Sequence, residues 1–234
     1  MLQNSYILRI ILGNIQQIEL FMTKIACLTQ RPIQTLILMY LIGKYNFKFD
    51  LVIYSPLKKI SNSKEDEGPA SIDSLEYQCR LLKIPLVKTN SLNSPKIVGI
   101  IKKHNISAAL GFIADTIINQ KILNCFKKGV YSTHEGILPR YRGHDANEWA
   151  FMDGKKLLGI SMIKLNKGVD TGDIVFLKRI KRQNKTVKEI NRELYYKYKI
   201  YFYEKIFLNL KLNKKNKIKK QKKKYPAHPR RIIF

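Results

Sequence analysis

Short apolar runs alternate with amphipathic stretches along the first 130 residues of the chain. The runs have the length and branched content of buried strands, and the stretches between them have apolar residues at helical spacing. Strands that alternate with helices predict a parallel, doubly wound α/β sheet with right-handed crossovers. The predicted strands are 24–28, 50–55, 84–88, 107–112, 130–132 and 158–165, and the predicted helices are 33–45, 71–82, 95–104, 116–126 and 187–210, with a polar loop at 58–71.

The turn after the first strand excludes two common classes of α/β enzyme. It reads Thr29-Gln30-Arg31-Pro32 and contains neither the glycine fingerprint of dinucleotide-binding proteins nor a Walker loop. A Rossmann oxidoreductase or a nucleotide hydrolase would need one of these, because the backbone must approach the phosphates closely.

Reactive side chains, glycines and a proline concentrate between Tyr131 and Ile174. There His134 lies beside Ser132 and Glu135, and a Gly-Val-Asp-Thr-Gly-Asp turn follows later. We expect His134 just beyond the C-terminal end of one strand and Asp170 on the loop that leaves another. Ligands of open α/β sheets bind outside the carboxyl ends of the strands, so the pattern predicts a site at this edge.

These residues resemble the catalytic core of the 10-formyltetrahydrofolate-dependent formyltransferases. The family signature is Asn-x-His, then Leu-Pro-x-Tyr-Arg-Gly, then Gly-x-Asp-Thr-Gly-Asp-Ile further on. A looser similarity extends from about Thr23 to Lys181 and implies a mostly parallel, Rossmann-like sheet. The matching residues are His134, Leu138, Pro139, Tyr141, Arg142, Gly143, Gly168, Asp170, Thr171, Gly172, Asp173 and Ile174.

The resemblance implies a catalytic set of His134, Asp170 and Ser132, with Ser132 standing where the family has asparagine. Formyl transfer passes through a tetrahedral centre whose oxygen becomes anionic, and a hydroxyl is a shorter donor than an amide. The loss of a preorganised oxyanion donor costs about 2.7–4 kcal/mol. His134 would polarise the formyl oxygen, while Asp170 would orient the ring and relay a proton.

The resemblance also implies where the two substrates bind. The formyl donor, 10-formyltetrahydrofolate, would lie against the loop after the fourth strand. The expected donor-binding residues are Gly111, Phe112, Ile113, Ala114, Val169 and Asp170, and the expected acceptor-binding residues are Arg140, Tyr141, Arg142 and Gly143.

Simpler interpretations of several of these residues remain open. Asp170 and Asp173 could make only turn hydrogen bonds, and of the two we expect Asp170 to be functional and Asp173 structural. Arg140 and Arg142 could be surface charges, although a fixed arginine also suits carboxylate or phosphate recognition. Tyr141 could be a core residue.

Two acceptors and one inactive alternative remain open. The residues after the Arg-Gly pair, His144-Asp145-Ala146 and then 147–150, depart from the methionyl-tRNA enzymes and favour an amino-sugar nucleotide or another small amine. Charged initiator tRNA is the alternative. A third possibility, from another class of protein, is a catalytically inactive relative that binds folate or RNA, which Ser132 would explain.

Charge and cysteine content bear on the partners of the protein and on its compartment. The formal charge is +27, and every charged residue from Lys211 to Arg231 is positive, so this tail is expected to be solvated, to contact RNA, or to return to the domain through Tyr225 and Pro226. Three cysteines without a close pair fit a cytoplasmic protein, and no metal motif or membrane span is evident.

The chain divides accordingly into four parts. We expect an extension or misassigned start at 1–21, a catalytic domain at 22–182, a C-terminal helix at 183–210 and a basic tail at 211–234. The first part contains Arg9 and Glu19 among apolar residues, and Met22 begins a segment that reads like a protein start.

Overall fold

The computed structural model describes residues 22–56, 69–114, 116–222 and 225–229, with the side chains of 69–71 excepted. The strands are β1 (Ile25–Thr29), β2 (Leu51–Tyr54), β3 (Leu86–Lys88), β4 (Ala108–Phe112), β5 (Gly129–His134), β6 (Arg142–Gly143), β7 (Leu157–Lys164), β8 (Asp173–Lys181) and β9 (Ala227–His228). The helices are α1 (Pro32–Gly43), α2 (Pro69–Leu81), α3 (Pro95–Lys103), α4 (Gln120–Leu123), α5 (Ala146–Met152), α6 (Val187–Glu193) and α7 (Ile200–Lys211), with a π-helical segment at Leu194–Lys199 between the last two.

A seven-stranded sheet with the order β3-β2-β1-β4-β5-β7-β8 forms the centre of the fold. Strands β1 to β5 pair in parallel, and β7 and β8 continue the sheet antiparallel. Apolar clusters cover both faces, one with α1, α6 and α7 and the other with α3 and α4. The doubly wound, mostly parallel sheet is therefore confirmed.

The central strands are apolar throughout because helices cover them on both sides. Every residue of β1 (IACLT) and of β4 (AALGF) is buried. Continuous apolar runs of this kind are the pattern of parallel sheets. The chain winds outward from β1 in one direction and from β4 in the other, so the topological switch point lies between these two strands.

The predicted C-terminal helix is present over 187–211 and packs into the main core. A capping box formed by Thr186 and Glu189 starts α6. Tyr203, Ile206 and Phe207 of α7 are almost fully buried in the larger cluster. Each such side chain contributes about 1.5–3 kcal/mol by leaving water, so this segment is part of the same core as β1.

The predicted helix at 116–126 is wrong over most of its length, since only Gln120–Leu123 is helical. The side chain of Asn93 donates to the Ile117 carbonyl and accepts from the Asn119 amide, which holds this stretch extended. Asn119 then caps the short helix by accepting from the Ile122 amide. A contact from a distant loop therefore overrides the local helical pattern.

The basic tail, where it is described, lies on the domain. The main chain of Lys219 pairs with Ile174, and β9 pairs in parallel with β6. Rings of Tyr141 and Trp149 stack on His228 at 5.7 and 5.2 Å between centroids. The expectation for residues 1–21, and that for the polar loop over 58–68, lie outside the described residues.

No helix in the described ranges has the length and apolar content needed to cross a lipid bilayer.

Candidate active site

The loops after β1 and β4 meet at the switch point of the sheet. The Gln30 amide donates to the Phe112 carbonyl at 3.0 Å, and its side-chain oxygen accepts from the Ala114 amide at 3.1 Å. Gln30 thereby fixes the two loops that flank the crevice between these strands. Crevices of this kind are the usual ligand sites of open α/β sheets.

His134, the last residue of β5, contacts Asp170 in this region. Its Nδ1 lies 3.2 Å from Asp170 Oδ2, and its Nε2 lies 2.6 Å from the Tyr141 carbonyl oxygen. The ring is buried, with 7% of the side chain exposed. The imidazole therefore lies between the Asp170 carboxylate and the Tyr141 carbonyl, and the tautomer of the ring decides which nitrogen donates.

Backbone geometry fixes the Asp170 carboxylate. Asp170 has a φ of 49°, in the left-handed region, which aspartate tolerates better than most residues. Its Oδ2 also accepts from the Gly143 amide at 2.9 Å. A Cβ on Gly172 would lie 2.1 Å from the Lys164 carbonyl oxygen, so this position of the turn requires glycine.

Ser132 points to the end of β4. Its hydroxyl donates to the Gly111 carbonyl at 2.8 Å. The Tyr203 hydroxyl, from α7, donates to the same carbonyl at 2.5 Å and accepts from the Thr133 amide at 3.1 Å. The hydrogen of the Ser132 hydroxyl is therefore already used, and Gly111 has a second donor.

Four of the residues expected on the donor side, 111–114, lie at the end of β4 and on the loop that follows it. Gly111 is directly opposite Ser132 in the sheet. The Phe112 ring packs against the Tyr203 ring, with 4.2 Å between the ring centroids. Ile113 and Ala114 continue the loop that Gln30 holds. Val169, 39% exposed, precedes Asp170 on the other loop.

The residues expected on the acceptor side are mostly occupied by structural contacts. The Tyr141 hydroxyl donates to Asp153 at 2.7 Å, and burial with this bond raises the Tyr141 pKa to about 12. Arg142 is buried and donates to Gln221 and to the Tyr225 carbonyl. Gly143 donates to Asp170 through its amide. Arg140 is exposed, 5.8 Å above the Tyr141 ring.

The residues after Gly143 are structural as well. The fully buried Asn147 side chain exchanges hydrogen bonds with the Gly159 backbone in β7. Glu148 accepts from Asn191, and the Trp149 ring nitrogen donates to the Pro229 carbonyl. The likeness of 147–150 to enzymes that act on small amines therefore says little about the acceptor.

An ion pair that the sequence did not suggest adjoins the site. Lys199 Nζ, at the end of the π-helical segment, lies 2.9 Å from Glu135 Oε1. Attraction to Lys199 lowers the Glu135 pKa. Burial acts to lower the Lys199 pKa, but the attraction and hydrogen bond to Glu135, together with Tyr203 and Tyr195, raise it on balance. Unusual helical turns are frequent at functional sites.

Tyr203 and Gln221 are two further residues at the site that the sequence did not indicate. Tyr203 lies within an ordinary apolar helix, so no local signal marks it. Gln221 is a neutral residue in the run Lys219 to Lys224, which is a weak signal. Both act through long-range contacts. In the described part of the chain, no group of three or more His, Cys, Asp or Glu could hold a metal ion.

Comparison with known proteins gives a match over most of the chain. The sequence model of a family described as "Formyl transferase" matches residues 51–204. The chain is 38% identical over 95 residues to the methionyl-tRNA formyltransferase of Buchnera aphidicola subsp. Baizongia pistaciae, which covers 41% of this chain and 29% of that protein. It is 28% identical over 160 residues to that of Caldicellulosiruptor saccharolyticus, covering 68% and 50%. The chain spans half or less of these curated relatives.

Solved structures share the fold. A sugar N-formyltransferase from a Shewanella species superimposes with a TM-score of 0.65 at 18% identity, covering 89% of this chain and 76% of that one. A phosphoribosylglycinamide formyltransferase from Streptococcus pneumoniae gives a TM-score of 0.61 at 15% identity, covering 81% and 99%. These structures therefore share the fold that the sequence motif implied for this chain.

Proposed function

Because the chain belongs to the formyl transferase family, we propose that it transfers a formyl group from 10-formyltetrahydrofolate to a primary amine. The observation that carries this proposal is the contact between His134 and Asp170 beside the switch-point crevice. Both residues stand in the family motif. A buried imidazole held by a carboxylate suits the polarisation of a carbonyl and the movement of a proton.

The reaction makes one bond and breaks another. The neutral amine of the acceptor attacks the formyl carbon, and the tetrahedral centre then collapses as the bond to the donor nitrogen breaks. One proton passes from the amine to the departing nitrogen, so the products are an N-formyl amine and tetrahydrofolate. We assign the oxyanion contact to His134 and the proton relay, through water, to Asp170.

The formyl oxygen competes with an existing contact of His134. Nε2 lies 2.6 Å from the Tyr141 carbonyl, so the ring must release this carbonyl in order to donate to the substrate. Asp170 holds Nδ1 and keeps that edge of the ring in place. Catalytic hydrogen bonds often form fully only in the substrate complex.

Ser132 provides a second donor at moderate cost. Its hydroxyl bonds to the Gly111 carbonyl, but the Tyr203 hydroxyl already donates to the same oxygen. Gly111 therefore keeps a partner when Ser132 turns toward the substrate. The Ser132 hydroxyl can therefore act as a weak oxyanion donor. This favours a slow enzyme over an inactive one.

The donor substrate remains assigned to the residues that the family motif indicates. These are 111–114 together with Val169 and Asp170. The exposed apolar side chain of Val169 suits the flat face of a pterin. Gln30 holds the loop at 111–114, and the Asp170 turn carries Val169.

We favour methionyl-tRNA as the acceptor. The curated relatives bear that name, and the stretch 147–150, which pointed to a small amine, has structural contacts instead. The lysine-rich segment 217–222 also lies against β8 beside the Asp170 loop, where it suits a phosphate backbone. An amino-sugar nucleotide is the second candidate, because the exposed Arg140 could take its phosphates.

The test is acceptor-dependent release of tetrahydrofolate. Purified protein is incubated with 10-formyltetrahydrofolate alone, with methionyl-tRNA, and with a pool of amino-sugar nucleotides. We expect tetrahydrofolate release with methionyl-tRNA and its loss in His134→Ala. The control His144→Ala should retain release, because His144 bonds to the His228 carbonyl through its backbone amide. Release only with the sugars would select the second acceptor. Folate binding without release under any condition would indicate an inactive relative.

A further inference from the structure

Gln221 joins the C-terminal segment to the Asp170 turn and to strand β6. Its side-chain nitrogen donates to the Asp170 carbonyl at 2.9 Å and to the Gly172 carbonyl at 2.6 Å. Its side-chain oxygen accepts from Arg142 Nη2 at 2.7 Å. A single amide therefore binds the Asp170 turn on one side and the β6 strand on the other.

The contacts converge on the orientation of the Asp170 carboxylate. The turn has a left-handed residue at Asp170 itself, a conformation that other contacts must stabilise. One such contact is the Gly143 amide, which donates to the carboxylate from the strand that Arg142 begins. Because Gln221 holds the carbonyls of the turn and the side chain of Arg142 at once, it keeps these groups in register.

The segment that presents Gln221 is itself anchored. Lys219 exchanges two backbone hydrogen bonds with Ile174 in β8, at 2.9 and 2.8 Å. The Tyr225 carbonyl accepts from Arg142 Nη1 at 3.0 Å. Anchors before and after Gln221 therefore place its amide, and Lys219, Lys220 and Lys222 beside it are exposed.

We propose that Gln221 is a positioning residue for formyl transfer, which holds the Asp170 turn so that its carboxylate meets His134 Nδ1. This inference rests on the proposed function for its kinetic effect. It assigns the basic segment a structural part in the active site, separate from any contact of its lysines with RNA. Small displacements of a catalytic group reduce turnover strongly, on the order of a hundredfold for about 1 Å.

Gln221→Glu separates this role from anchoring. The carboxylate still accepts from Arg142, so the segment keeps that bond, but it cannot donate to the two carbonyls and instead repels them. We expect kcat to fall on the order of ten- to a hundredfold while KM for both substrates stays near the wild-type value. The matched control is Gln120→Glu, the same change at an exposed glutamine of α4 whose amide donates to Asn124, and it should retain kcat.

A double-mutant cycle with Asp170→Asn identifies the route of the effect. If Gln221 acts through Asp170, the Gln221→Glu change should cost far less in the Asp170→Asn background than in the wild type. Equal losses in both backgrounds would overturn the proposal, as would a wild-type kcat in Gln221→Glu.

Hydrogen exchange at the Gly143 amide gives a readout that does not depend on activity. This amide donates to the Asp170 carboxylate, so Gln221→Glu should speed its exchange while β7 amides stay protected. Unchanged exchange would contradict the positioning role. If the wild-type protein released no tetrahydrofolate yet Gly143 exchange increased in the variant, the proposed function would fail and the positioning of Asp170 would stand.

Discussion

Asp170→Asn is the substitution that tests the chemistry of the site most specifically. The change keeps the size and shape of the side chain, and an amide oxygen can still accept from Gly143 and from His134. It removes the negative charge that faces the buried imidazole at 3.2 Å. The fold should therefore survive, and the effect should appear in the reaction.

The expected magnitude follows from the contact that is weakened. A hydrogen bond to a charged group contributes about 1.5–3 kcal/mol net. Because about 1.4 kcal/mol of transition-state free energy is a factor of ten in rate, orientation alone predicts a loss on the order of ten- to a hundredfold. If Asp170 also relays the proton, the loss should reach about a hundred- to ten-thousandfold.

The assay is kcat for tetrahydrofolate release at saturating donor and acceptor, with Asp173→Asn as the matched control. Asp173 begins β8 two residues after Thr171 and pairs through its backbone with Lys164. We expect the control to retain kcat and the wild-type denaturation midpoint, and Asp170→Asn to unfold in one cooperative transition at a somewhat lower midpoint. A wild-type kcat in Asp170→Asn, with the fold intact, would refute the assignment.

Three further substitutions have definite expected outcomes. Ser132→Asn restores the family donor and should raise kcat by up to about a hundred- to a thousandfold, whereas no gain in the transfer assay would count against the oxyanion role of this position. Tyr203→Phe leaves the half-buried Thr133 amide without its acceptor and should lower the free energy of unfolding by about 1–3 kcal/mol, and an unshifted urea midpoint would contradict this. Glu135→Gln removes the partner of Lys199. Because the folded pKa of Glu135 is lowered, its contribution is present above the unfolded pKa of about 4.3 and lost as the pH falls through the folded pKa. The stability difference from wild type should therefore be small, because 44% of the side chain is exposed, and should vanish in acid. A difference in urea stability that persisted unchanged in acid would be inconsistent with it.

The sheet was predictable because its central strands are buried on both faces. The runs in β1, β2 and β4 have the length of covered strands, and the alternation of strands with helices predicts that they are parallel. Strand β8 was not predicted because it is an edge strand whose apolar residues are interrupted by Lys178, Arg179 and Lys181. Charged residues are common on such edges, where they discourage pairing with other chains.

The candidate site was predictable only as far as its motif extends. His134 and Asp170 were expected to meet, and they do. The partners of Ser132 were not visible, because Tyr203 lies about seventy residues further along the chain in a helix that reads as ordinary core. Arg142 was expected to contact substrate, but the structure surrounds it with Gln221 and Tyr225, whose contacts no local pattern encodes.

The central claim is that this chain moves a formyl group from folate to an amine. The most direct measurement is mass spectrometry of the acceptor after incubation of the wild-type protein with methionyl-tRNA and 10-formyltetrahydrofolate whose formyl carbon is isotopically labelled. We expect an N-formylmethionyl product that carries the label and is absent with His134→Ala. Unlabelled methionine from the wild-type reaction, with amino-sugar nucleotides equally unmodified, would contradict it.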